Sequence, residues 1–280
     1  MHVHRLYTKT KIMKDKRVLY VSSEVMPYLP ETEISSTSFF APKAVKDNKG
    51  EIRIFMPRYG VINERRHQLH EVIRLSGMNL VVNDMDMPLV IKVASIPQER
   101  MQVYFIENEE YFDRKATYAD KEGKFFEDND ERAIFFAKGV IETIKKLNWA
   151  PDIIHVHGWL ASLLPLYIKE FYKNEPLFEN SKVVTSVYNT SFEGTLNKEM
   201  IDKLRFDEMA DDKINGLEVP NYDNLMKVAM ENSDGVVLGS EEISEELKSF
   251  VEDLDVPVLN YVNSEELSAA YIDFYEGKIL

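Results

Sequence analysis

The chain has 280 residues, 44% hydrophobic and 29% charged, which is enough to bury a large core in one big α/β domain or two small ones. It contains no cysteine, which excludes a disulfide framework, a thiolate metal site and a cysteine nucleophile, and suits a reducing cytoplasm. A formal charge of −14 argues against nucleic acid and anionic membrane as partners, because both need a basic surface against phosphate, whereas a neutral ligand such as a glycan is easily accommodated.

The first segment, MHVHRLYTKTKIMKDKR, is basic but lacks the apolar stretch of a secretion signal, and no later apolar run approaches the ~18 residues of a membrane span. Residues 1–15 are expected to form a disordered basic leader, with a nucleic-acid arm as the second reading. Residues 16–280 are expected to form one cytoplasmic domain that neither crosses nor enters a membrane.

Arg17 to Val25 starts as a continuous apolar run and closes in small polar residues, as a buried parallel strand does when it feeds its C-terminal loop. Glu51 to Gly60 repeats the pattern, and a helix over about Ser36 to Asp47 between them completes a right-handed crossover. Leu80–Val82, Leu89–Val93 and Met101–Ile106, separated by Asn83-Asp84 and Pro97-Gln98, predict an antiparallel hairpin. Phe136, Val140, Ile144 and Leu147 recur at helical spacing in a helix from Asp130, capped by Asp128 or Asn129. Strands over Ile153–Val156, Val183–Val187 and Gly235–Leu238 alternate with helices over Trp159–Phe171 and about Asn224–Asn232. An apolar segment from Val256 to Val262 and an acidic helix from Ser264 follow. There is no internal repeat or low-complexity linker, and a single Rossmann-like α/β domain with a mostly parallel twisted sheet, flanking helices and a β-hairpin insertion explains this order best.

Several short stretches then carry a resemblance: Val21 to Tyr28, Met56 to Gly60, Tyr104 to Ile106 with Tyr111 to Arg114, Asp128 to Arg132, Pro151 to Trp159, and Ser233 to Ser240. In that order and spacing, from about Lys16 to Glu246, the chain resembles the N-terminal, acceptor-side domain of bacterial glycogen and starch synthases, two-domain glycosyltransferases of the GT-B fold. The resemblance implies half of such a fold and an α-glucan or other oligosaccharide as partner. The family's activity is retaining transfer of glucose from ADP-glucose to an α-1,4-glucan, without a metal, and the implied cofactor set is empty.

The chain also departs from that pattern. Where the family's phosphate loop reads Lys-x-Gly-Gly-Leu, this chain reads Pro30-Glu31-Thr32-Glu33-Ile34. Proline removes an N–H, and the side chains of Thr32 and Glu33 obstruct a close phosphate approach. The carboxylates would repel an anion by roughly 4 kcal/mol at about 4 Å in an effective dielectric near 20. Gly158 replaces the family's aspartate and Tyr188 the histidine that contacts the donor sugar, so no catalytic residue is assigned. The sequence also stops where the family's second Rossmann domain would begin. The resulting expectation is a glucan-binding or regulatory domain that is not self-sufficient in catalysis. An active glucosyltransferase completed by a partner chain and a protein-binding scaffold are the alternatives.

Glycan-binding candidates are Glu24, Tyr28, Arg58, Asn129, His157, Trp159 and Asn189. Glu24 and Tyr28 offer a carboxylate and a ring to sugars or else close their loop, and Arg58 either reaches Glu24 or touches ligand. Asn129 and Arg132 are either helix cap and first-turn charge or ligand contacts. Trp159 is either a sugar platform or the first apolar residue of its helix. His155 and His157 share one strand face at i and i+2, a spacing that suits a metal pair, yet no third ligand is evident and no metal is expected. Asp84-Met85-Asp86 reads as a turn.

Overall fold

The structure, a computed structural model, describes residues 13–280. Residues 1–12 of the expected leader lie outside that range, and Met13, expected to be disordered, is instead buried against the core.

Ten strands make one sheet among the described residues: β1 (Arg17–Ser22), β2 (Glu51–Pro57), β3 (His70–Glu71), β4 (Met78–Val82), β5 (Met85–Ile96), β6 (Met101–Glu107), β7 (Ile153–His157), β8 (Lys182–Val187), β9 (Gly235–Leu238) and β10 (Val258–Leu259). Their spatial order is β10-β9-β8-β7-β1-β2-β6-β5-β3, with β4 also paired to β5. All pairings from β10 across to β6 are parallel, and β5 runs antiparallel to β6, β3 and β4. The expected hairpin is thus present, turned by Asn83 and Asp84, both at positive φ, a conformation that short polar side chains tolerate. Asp84 sits in that turn, while Met85 and Asp86 open β5.

The helices are α1 (Glu33–Asp47), α2 (Glu64–His67), α3 (Glu109–Phe112), α4 (Asn129–Leu147), α5 (Leu164–Leu166), α6 (Met200–Phe206), α7 (Asp211–Ile214), α8 (Tyr222–Glu231), α9 (Glu245–Asp253) and α10 (Leu267–Phe274). The helix expected over Trp159–Phe171 is wound in three ways, a 3₁₀ turn, α5 and a π turn, around Pro165, which has no N–H to give. Asp128 precedes α4 without a side-chain capping bond, because its carboxylate pairs with Arg114 instead. The helices α2, α3, α6, α7 and α9 have no counterpart among the elements expected from the sequence.

β1 and β7 are buried along their length because helices cover both faces of a parallel sheet. α1 packs on β1 and β2 with α10 against it, α4 packs on β6, and α8 packs on β8. The chain leaves β1 toward β2 on one side and enters β7 on the other. The carboxyl ends of β1 and β7 therefore bound a crevice at the point where strand order reverses, the usual ligand position in open α/β sheets.

Candidate functional site

The loop after β1 delivers Glu24 to this crevice. Ser22 Oγ fixes the loop by donating to Glu24 O at 2.6 Å and accepting from its N–H at 3.1 Å. The half-buried Glu24 carboxylate accepts from Thr32 Oγ1 at 2.6 Å and from Tyr118 OH at 3.0 Å. Thr32 is also the N-cap of α1: its hydroxyl accepts from Ser35 N–H at 3.0 Å, and Ser35 Oγ accepts from Thr32 N–H at 2.8 Å. This reciprocal cap is why α1 starts three residues before the expected Ser36. The helix end that would otherwise attract an anion is thus occupied by the chain's own hydroxyls. Glu31 and Glu33 stand exposed beside it, and Glu33 accepts from Ser240 Oγ in the loop after β9.

Gly158, directly after β7, has φ +83, and a Cβ built there overlaps Ser23 Oγ and comes within 3.0 Å of Ser23 Cβ. The glycine is therefore required by the close passage of the first loop. Tyr188 is buried, and its hydroxyl bonds His157 Nδ1 at 2.8 Å. A Cβ at Gly239 would stand 2.6 Å from Tyr188 Cζ, so the tyrosine ring occupies the space a side chain there would need. Burial drives the Tyr188 phenol up and the His157 imidazole down to about 3, so both stay neutral. His155 Nδ1 meets Tyr275 OH at 2.5 Å and its Nε2 meets Ser186 Oγ at 2.8 Å. With His155 wholly occupied, the pair is a neutral hydrogen-bonded core, and no cluster of three potential metal ligands exists among the described residues.

Trp159 is buried beneath Tyr118, Phe125 and Phe192, with ring centroids 5.1, 5.6 and 5.3 Å away. Phe125 and Phe192 stack on each other at 5.0 Å and are only half-buried, so these two rings, not Trp159, are the partly exposed members of this aromatic cluster. Sequence reasoning missed them, since both lie in irregular loops where no periodicity marks a role. Asn189 is exposed, its N–H held by Ser240 Oγ at 2.8 Å.

Three other sequence candidates are placed elsewhere. Tyr28 is buried, packed edge-on against Phe105 at 4.8 Å and near His67 at 5.0 Å, so its ring is a core element and not an exposed face. Arg58 does not reach Glu24. It is buried in an ion network with Glu107, Asp113 at 2.8 Å and Glu64 at 3.1 Å, with Lys92 bridging Glu64 and Glu107. Asn129 is fully buried, giving Nδ2 to Tyr118 O at 2.9 Å and accepting Arg132 Nη1 at 2.5 Å. Arg132 in turn donates to Tyr111 O and Thr117 O, both at 2.7 Å, and the pair stitches the loop before α4 to that helix. Of the candidates, Glu24 and Asn189 keep exposed surface in the loops after β1 and β8, whereas Trp159 and His157 are buried.

Residues 17–256 match the family model described as the starch synthase catalytic domain. The chain is 37% identical over 198 residues to a glycogen synthase from Chlorobium luteolum, covering 70% of this chain and 40% of that protein. It is 34% identical over 255 residues to one from Chlorobaculum tepidum, covering 90% of this chain and 50% of the relative. The chain thus spans about half the length of the curated relatives it matches. In fold it is similar to the catalytic domain of starch synthase IV from Arabidopsis thaliana bound to ADP and acarbose, with a TM-score of 0.71 at 17% identity over 90% of this chain and 53% of that one. The parallel sheet, the crevice at its switch point and these matches agree that the chain belongs to the glycogen and starch synthase family of glycosyltransferases.

Proposed function

We propose that this chain is a glucan-binding member of the family whose β1–α1 loop does not take a nucleotide diphosphate. The observation that carries the reading is the closed helix end. Thr32 and Ser35 cap α1 reciprocally, Glu33 is tied to Ser240, and Gly158 has no room for the family's aspartate beside Ser23. A phosphate arriving there would meet carboxylates where the family offers glycine N–H groups. What the crevice keeps is suited to neutral sugars. The half-buried Phe125 and Phe192 offer apolar ring faces, and Glu24 and Asn189 offer polar groups to hydroxyls.

Titration of maltoheptaose, followed by amide chemical shifts, should give a dissociation constant of about 0.1 to 10 mM, roughly 3 to 5 kcal/mol. The shifts should cluster at residues 118–125 and 189–192, and Phe192→Ala should abolish them. The same preparation should incorporate no glucose from ADP-glucose into glycogen. Sustained incorporation would assign the chain to the active transferase reading, and absence of any shift would leave the scaffold reading.

A further inference from the structure

We propose that the molecule has a second binding site, adjoining the glucan crevice at Thr32 and Glu33 and lying between the start of α1 and residues 261–271, and that it takes a small organic cation: an ammonium or guanidinium group on an apolar body. A cavity of about 350 Å³ lies there, within the size range of small-molecule sites. Its walls come from the first turns of α1, the end of β9 and the stretch from Tyr261 to Tyr271. That last wall, five of the thirteen lining residues, lies beyond residues 17–256, which the family model matches.

The lining defines the chemistry. Phe40 and Tyr261, 39% and 40% exposed, are large aromatic side chains left uncovered at the same cavity. Glu31 and Glu33 line it and carry no ion pair among the described residues, while the bond from Ser240 holds the Glu33 carboxylate in place. Hydroxyls of Thr37 and Ser264 complete the wall. Carboxylates next to aromatic faces attract an organic cation through charge and through the ring quadrupole. An anion is disfavoured by the same carboxylates, and a neutral sugar would leave their charge uncompensated. The cation could be a free small molecule or a lysine or arginine side chain of a polypeptide, since both present the same group.

Phenethylamine and the peptide acetyl-Leu-Arg-Leu-amide, titrated separately into the full chain, test the site by amide chemical shifts at Thr37, Gly239 and Ser264. Both should move these amides, and the E31Q/E33Q variant, altered at two exposed positions and therefore folded as judged by an unchanged melting curve, should weaken binding by at least about tenfold. Tighter binding of the peptide would identify a polypeptide side chain as the source, and equal or tighter binding of phenethylamine a free cation. The proposal is overturned if neither probe moves these amides, if E31Q/E33Q binds them unchanged, or if ADP moves the same amides as strongly.

Discussion

Gly158 shows how one residue records the course of two loops. At φ +83 an L side chain costs about 1 to 2 kcal/mol, and crowding Ser23 adds about 1 to 3 kcal/mol. Gly158→Ala should therefore lower the unfolding free energy by roughly 2 to 5 kcal/mol in urea titrations, and adding Ser23→Gly should recover the steric part alone. Loss of less than about 0.5 kcal/mol would mean that the first loop moves aside freely. The buried histidines make a second, pH-dependent statement. Burial holds His157 down to about 3 and His155 well below its ordinary value, whereas both take a proton near pH ~6.5 when unfolded. The unfolded state therefore binds more protons below pH ~6.5, so stability is full above that pH and declines as pH falls toward about 3. Between about pH 7 and pH 5 the expected loss from His157 is roughly 2 kcal/mol, and His157→Gln should remove that part of the slope.

At the scale of elements, the start of α1 sets which groups the β1 loop presents. The sequence pattern indicated a degenerate phosphate loop, and the structure shows that Thr32 has become a helix cap. Thr32→Ala should cost about 1 kcal/mol and Thr32→Gly only a few tenths, read from the denaturation midpoint, because glycine is itself a tolerable cap. The exposed bond from Thr32 to Glu24 is lost in both variants and cancels in the comparison. Equal costs would remove capping as the residue's contribution. Strand positions were legible because continuous apolar runs ending in small polar residues are hard to mistake for anything else. The short helices α6 and α7 were not, since tertiary contacts and not periodicity hold segments of seven and four residues in helical form.

At the scale of the whole molecule, the charge of −14 and the neutral ligand separate the two binding sites by their response to salt. Raising sodium chloride from about 0.05 to 0.5 M shortens the Debye length several-fold, so maltoheptaose affinity should stay within about twofold while phenethylamine affinity falls. A glucan affinity that collapsed with salt would contradict a crevice built on apolar ring faces.

The amino-acid sequence by itself determined the α/β class, the positions of the main strands, the hairpin and the family, because these rest on local patterning and on short motifs kept in order. It also marked Pro30, Thr32, Glu33, Gly158 and Tyr188 as departures from the family pattern. Tertiary structure alone decided which candidates are buried and which stay exposed. Tyr28, Arg58 and Asn129 carry side chains as suitable as those of Glu24 and Asn189, but the first three are consumed by the core, an ion network and the α4 entry. Phe125 and Phe192 stack on each other from loops 67 positions apart in sequence, a meeting that only the closed fold creates. The physical reason is that burial and hydrogen-bond partners are properties of the packed chain, set by residues far away along it, whereas residue type is local.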